Sequence, residues 1–264
     1  MKKQAITKGY AERFSGIGRL YGQAGMEKLA GAHVAVVGIG GVGSWTVEAL
    51  ARSGIGELTL IDLDSLCITN TNRQIHAVEG QVGREKAAAM ADRAKLINPE
   101  ISVHEEIEFF TENTAEELLA PGFDCVVDAI DSVKHKCFLI ATCRDREIPL
   151  VVCGGAGGKT DPAGVSRDDL AFATNDRLLK MVRKRLRAQY DFPPEPTKAP
   201  FHIPAVFSTE NARYPWANGT VCDRPEPGSA LQLDCESGFG TATQVTGTFG
   251  FAAAAAAIQL ILQQ

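Results

Sequence analysis

Gly38, Gly40 and Gly43 stand at G-x-G-x-x-G spacing between a β-branched run, HVAVVG, and a helical pattern, SWTVEALARS. Glycines there let backbone approach a phosphate closely, and the helix start behind them offers unpaired N–H groups and the positive end of its dipole. Asp62 ends the next apolar run, ELTLID, 24 residues after Gly38, where an acid binds ribose hydroxyls. Asp64, two residues on, is its rival and would cap the loop instead. These residues describe a nucleotide site that serves an NAD-dependent oxidoreductase and an ATP-using enzyme equally well.

The residues after Asp62 bear on that choice. Asn70 and Arg73 lie in NTNRQ, and Lys86 follows in GREK. Hydride transfer from a dinucleotide has no need of two further cations there, because the glycines already cradle its pyrophosphate. Cleavage of a triphosphate at its α-phosphate builds charge on the bridging and leaving oxygens, and fixed cations stabilise it. Taken singly, Arg73 pairing with a surface carboxylate and Lys86 lying on a solvated helix face would be ordinary. Asp128 and Asp131 bracket the end of a third apolar run, FDCVVDAID. Either could hold Mg²⁺ or orient a hydroxyl, and Asp131 could equally cap the helix behind it.

The elements that must position these residues follow from hydrophobic period. Residues 11–30, 44–53, 83–97 and 132–146 have helical spacing, TAEELLA is a short helix, and HVAVVG, ELTLID, ISVHEEIEF, FDCVVDAID and IPLVVCGG read as strands. Such alternation predicts an α/β fold, a Rossmann-like doubly wound and mostly parallel sheet with a C-terminal extension. We place an adenylation core with its N-terminal helical segment at residues 1–158, and a substrate-binding and dimerisation extension, packed on the same domain, at 159–264.

Beyond residue 158, GVSRDDLAFA is strand-like, FHIPAVFSTE returns toward the sheet, and the proline-rich stretch 191–200 is an extended linker or mobile loop. Between them, NDRLLKMVRKRLRAQ sets Arg177, Lys180, Lys184 and Arg187 on one helical face and Leu178, Val182 and Leu186 on the other. With a net charge of −5, the chain does not coat nucleic acid by bulk charge, so an RNA partner needs a local stripe of this kind. Residues 239–262 carry no charge and reach the length of a membrane span, but alanine, threonine and glycine dominate them; a packed or dimer-interface helix is the first reading and a membrane anchor the second. The seven cysteines form no C-x-x-C pair, which fits reduced thiols in a cytoplasmic protein, and the N-terminus has no apolar core of signal-peptide length.

GIGGVGS, LIDLD, the NTNRQ segment, the Lys86 helix and DAID, in this order, resemble the ubiquitin-activating-enzyme-like adenylyltransferases over roughly residues 10–155. That resemblance implies phosphate held at Gly41 and its neighbours, ribose at Asp62, the triphosphate at Asn70, Arg73 and Lys86, and Mg²⁺ at Asp131. It also implies a homodimer, with Arg13 or Arg19 donated to the neighbouring subunit's site. The paired C-x-x-C zinc ligands of many bacterial members are missing. RFSGIGRLYG, the basic segment and LDCESGFGTAT are similar to the branch that dehydrates threonylcarbamoyladenosine in tRNA, through adenylation of the threonyl carboxylate and ring closure. No enzyme thiol is required by that route, although Cys235 is the better placed of Cys222 and Cys235 to be reactive. Two alternatives stay open: an adenylyltransferase for a ubiquitin-like or sulfur-carrier protein, and the oxidoreductase. A cysteine desulfurase or sulfur acceptor would dock on the variable region.

Overall fold

The computed structural model describes residues 6–228 and 239–264. Two helices, α1 (Lys8–Arg13) and α2 (Ser15–Ala30), lead into a chain that alternates as its hydrophobic period predicts: β1 (His33–Val37), α3 (Gly43–Arg52), β2 (Glu57–Ile61), α4 (Lys86–Ile97), β3 (Ser102–Glu106), α5 (Ala115–Leu118), β4 (Cys125–Asp128), α6 (Val133–Asp145) and β5 (Leu150–Cys153). Then come β6 (Val165–Asp169), α7 (Arg177–Gln189), β7 (Pro204–Ser208), a small ribbon of β8 (Tyr214–Pro215) and β9 (Val221–Cys222), and α8 (Thr243–Gln263).

The main sheet has the order β3-β2-β1-β4-β5-β7-β6. All its neighbours run parallel except β6, which lies antiparallel to β7 at the edge. Strand order reverses between β1 and β4, and a crevice opens there at the carboxyl ends of the strands, the place where doubly wound sheets bind ligands. The parallel series runs one strand beyond IPLVVCGG, because β7, from FHIPAVFSTE, inserts beside β5.

Successive residues of each strand serve opposite faces. Val34 and Val36 join Leu50, Leu60, Met90 and Phe249 in one core, while Ala35 and Val37 join Leu139, Ile140, Leu179 and Val182 in the other. Both faces are therefore covered, which is why the strands read as continuous apolar runs.

Helix α8 is long and apolar enough to cross a membrane by length and composition. Eleven of its residues are buried, and it lies against α3, α2 and strands β4 to β7. A Cβ at Gly250 would come within 2.8 Å of the Val42 carbonyl oxygen, so the helix sits close only because its residues are small. The sheet thus uses the apolar surface that raises the helix's hydropathy.

Candidate functional site

The turn after β1 is built by close approach. Gly38 has φ +90°, donates its N–H to Ile61 O at 2.9 Å, and faces the Ala129 carbonyl so closely that a Cβ would stand 2.9 Å from its oxygen. A Cβ on Gly43 would strike the Gly38 carbonyl oxygen, so Gly38 and Gly43 shape the turn and bring α3 onto the strand. Gly40 is different: a Cβ there would meet nothing within 4 Å, and its backbone borders the open crevice. At Gly41 the nearest groups are the Thr246 methyl and the Arg73 stem, 3.3 and 3.4 Å from a built Cβ. Arg73 is therefore laid directly across the glycine turn.

Two adjoining cavities meet at this turn. The larger, about 450 Å³, is lined by Gly40, Gly41, Arg73, Asp131, the Gly154–Gly157 segment after β5, and Phe239. The smaller, about 140 Å³, is lined by Gly38, Asp62, Lys86, Phe109, Asp131 and His135. Gly40, Ala129, Ile130 and Asp131 border both. Their combined size suits a nucleotide with room beside it.

Asp62 is locked against the turn: Ile39 donates its N–H to Oδ2 at 2.6 Å and Asp64 donates its N–H to Oδ1 at 2.8 Å. Burial pushes its carboxyl above the ordinary carboxylate range, and the nearby Lys86 ammonium pulls the other way. Lys86, at the start of α4, is buried and donates to Asp64 Oδ2 at 2.7 Å. Asp64 therefore does not cap its loop as a bystander; it holds the ammonium of Lys86 at the floor of the smaller cavity.

Arg73 donates Nη1 to Thr69 O at 2.7 Å and to Asn72 Oδ1 at 3.0 Å. Its own carbonyl accepts from Trp45 Nε1 at 3.0 Å and from Thr246 Oγ1 at 3.2 Å, and the Thr243 hydroxyl holds the Asn72 carbonyl at 2.5 Å. The first turn of α8 and the indole of α3 thus grip the loop that carries the arginine. Sequence reading missed this grip, because Trp45, Thr243 and Thr246 carry no motif and lie far from Arg73 along the chain.

Two sequence expectations are corrected by position, those for Asn70 and Asp128. Asn70 borders neither cavity; it is buried, and its Oδ1 accepts from the Cys67 N–H at 3.0 Å, closing the short turn that leads to Arg73. Asp128 is fully buried and cannot reach a metal in the crevice: Lys136 Nζ lies 2.9 Å from its Oδ1, and that lysine also donates to Ile130 O at 2.8 Å. The pair braces the turn that presents Asp131, which is exposed on the wall common to both cavities. Arg187 is half-buried; its Nε donates to Pro193 O at 3.1 Å and its guanidinium lies 5.3 Å from the Phe201 ring centre. Arg177, Lys180 and Lys184 are exposed on α7, with Leu178, Val182 and Leu186 buried as the spacing requires. Arg13 donates to Ile97 O at 3.1 Å, at the C-terminal end of α4, and Arg19 is exposed on α2. Cys235 lies outside the described residues.

Unforeseen parts of the site are the Gly154–Gly157 wall and Asp176 behind it. Asp176 caps α7 through Leu179 N–H at 2.8 Å and accepts the Gly155 N–H at 2.8 Å, tying the basic helix to the crevice. Burial pushes its carboxyl up. The glycine doublets directly after a buried run were the available signal.

A glycine turn at a sheet's switch point, an acid on the next strand, and an arginine and a lysine beyond it define a nucleotide-binding α/β protein built to act on phosphates. The chain belongs to the ThiF family, whose model matches residues 15–264. It is 46% identical over 258 residues to the tRNA threonylcarbamoyladenosine dehydratase of Escherichia coli, covering 97% of this chain and 96% of that one. A solved structure of the E. coli tRNA N6-threonylcarbamoyladenosine dehydratase in complex with ATP has a TM-score of 0.86 at 43% identity, covering 98% of both chains. The molybdopterin-synthase adenylyltransferase of Salmonella typhimurium is 34% identical, but over 48% of this chain only.

Proposed function

We propose that this chain uses ATP to adenylate the threonyl carboxylate of threonylcarbamoyladenosine in tRNA and then closes the cyclic nucleoside, a net loss of water. The observation that carries the reading is the stem of Arg73 across Gly41, with Asp131 on a wall of the same cavity. The backbone around Gly40 receives phosphates, Asp62 offers carboxylate lone pairs to ribose hydroxyls, and Arg73 and Lys86 oppose the charge that develops as a carboxylate oxygen attacks the α-phosphorus and pyrophosphate departs. The carbamoyl group then attacks the activated carbonyl, losing a proton, and AMP leaves. Asp131, exposed on the wall common to both cavities, would hold Mg²⁺, which neutralises phosphate charge when bound.

Similarity to the dehydratase extends over nearly the whole chain, including the segment after residue 158, whereas the likeness to the molybdopterin-synthase enzyme covers half. That asymmetry favours a tRNA carboxylate over that of a carrier protein, since residues 159–264 supply the basic helix. Exposed Lys180 and Lys184 would contact tRNA phosphates. We read the protein as a cytoplasmic homodimer: the described cysteines are free thiols, and exposed Leu20 and Tyr21 on α2 offer an apolar face beside Arg19. We further read α8 as a core helix and not an anchor.

The deciding experiment incubates the pure protein with ATP, Mg²⁺ and tRNA bearing threonylcarbamoyladenosine. Mass spectrometry of the nucleosides is expected to show loss of one water with AMP and pyrophosphate released. Pyrophosphate exchange that depends on a carrier protein and not on tRNA would overturn the reading.

A further inference from the structure

At the end of the strands opposite the nucleotide crevice, three side chains converge that play no part in phosphate chemistry. His33 opens β1 and pairs in register with Glu57, the first residue of β2; Thr59, two residues on, pairs with His104 of β3. Register partners in parallel strands share a face, and so do residues two apart. The three side chains therefore meet across three neighbouring strands.

His33 Nδ1 lies 3.8 Å from Glu57 Oε1, and His104 Nε2 lies 2.8 Å from the same oxygen. One donor atom from each residue falls within 4.8 Å of the other two. Ligand atoms bound at ~2.0–2.1 Å in a tetrahedral zinc centre stand roughly 3.3–3.5 Å apart, so small side-chain movements bring all three onto one ion. The second ring nitrogen of His33 is also engaged: Nε2 lies 2.8 Å from Thr59 Oγ1. With Nε2–H donated to that hydroxyl, Nδ1 keeps a bare lone pair directed at the Glu57 side, the arrangement by which an outer partner fixes the tautomer of a metal-bound imidazole. The ring is held edge-on to Phe123 at 4.7 Å, and the His33 N–H donates to Asp124 Oδ2 at 2.8 Å. Glu57 and His104 are about half exposed, so an ion has a way in from solvent. A hydrogen bond between His104 and Glu57 alone would explain neither the placement of His33 nor its Thr59 partner.

We propose that His33, Glu57 and His104 bind one divalent transition-metal ion of the zinc class, a clip across β1, β2 and β3 with its remaining position open to water. Two imidazoles and a carboxylate suit zinc and exclude a hard-cation site of the calcium type.

The test uses the full chain, stripped with chelator and titrated with Zn²⁺ by calorimetry and with Co²⁺ by visible absorption. One equivalent should bind, with Co²⁺ bands of nitrogen and oxygen ligation and no thiolate charge-transfer band, and Zn²⁺ should raise Tm. His104→Ala and Glu57→Gln, both at half-exposed positions, should each weaken binding at least 10-fold, and Thr59→Val should weaken it about 10-fold through His33 alone. Dehydratase turnover with ATP should be unchanged in all three. Absence of one-equivalent binding, a thiolate band, or His104→Ala binding Zn²⁺ as tightly as the parent would each overturn the proposal.

Discussion

Lys86 donates its Nζ to Asp64 Oδ2 at 2.7 Å, so the lysine that should meet the phosphates is held in place by a carboxylate two residues beyond Asp62. Asp64 is about half exposed and Lys86 nearly buried, which makes the acid the movable partner. An incoming triphosphate therefore competes with Asp64 for an ammonium that is already in position. Lys86→Ala is expected to lower kcat for AMP release about 100-fold or more, the cost of removing one preorganised charge at a reacting centre. Asp64→Asn should change the KM for ATP more than kcat. Steady-state kinetics of both variants checks the assignment, and a Lys86→Ala enzyme with normal turnover would sink it.

Arg73 lies across the glycine turn, where it meets phosphates and not the exposed lysines of α7, so Arg73→Ala should reduce turnover by about 10²- to 10³-fold while leaving tRNA affinity nearly unchanged. Thr246→Val, which removes one of the two hydrogen bonds to the Arg73 carbonyl, should produce a smaller loss in the same parameter. Filter binding of tRNA beside single-turnover kinetics separates the two effects. Equal loss of binding and turnover in Arg73→Ala would place the arginine on the RNA instead.

Lys180 and Lys184 are exposed on α7, whereas Arg187 is engaged with Pro193 and Phe201. Replacing both lysines with alanine should weaken tRNA binding and lower the slope of log K against log salt by about 1.5, at 0.7–0.9 per phosphate contact. Arg187→Ala should act on stability first, because it removes packing against Phe201. An unchanged salt slope in the double variant would move the RNA surface off this helix.

Among the described residues, neither ring nitrogen of buried His76 has a hydrogen-bond partner. Burial, with Lys86 and Arg93 adding to it, pushes its pKa down to about 3. A histidine with a depressed native pKa costs no stability above its unfolded value near 6.5, and stability falls as pH drops from there toward 3, because only the unfolded chain takes up the proton. The loss from this group should reach roughly 3 kcal/mol at about pH 4. Denaturant unfolding from neutral to acid pH should show a shallower decline in His76→Gln, and an identical slope would rule the group out as the cause.

Asp128 and Lys136 form an ion pair with both side chains fully buried. Removing one partner leaves an uncompensated charge, so Lys136→Met should cost about 3–5 kcal/mol. Pairing it with Asp128→Leu should recover much of that loss, since an apolar pair of similar volume is often neutral. Equilibrium unfolding of the single and double variants tests this coupling.

Much was legible in the sequence because the physics that encodes it is local. The alternation of apolar runs and helical spacing determined an α/β chain with a parallel sheet. The glycine spacing and Asp62 determined a nucleotide turn, since only glycine permits the φ of Gly38 and the approach of Gly43. Alternate burial on α7 was equally plain in its 3.6-residue period. Tertiary structure decided what depends on distant neighbours. Asp128 and Asp131 look alike three residues apart, yet Lys136 buries one and leaves the other at the crevice. Asn70 caps a turn because Cys67 N–H reaches it. Helix α8 belongs to the sheet because small residues let it approach α3, and its first turn then grips the Arg73 loop. Composition alone cannot separate a packed apolar helix from a membrane span, nor a buried carboxylate from an accessible one, because both distinctions rest on contacts made across long stretches of chain.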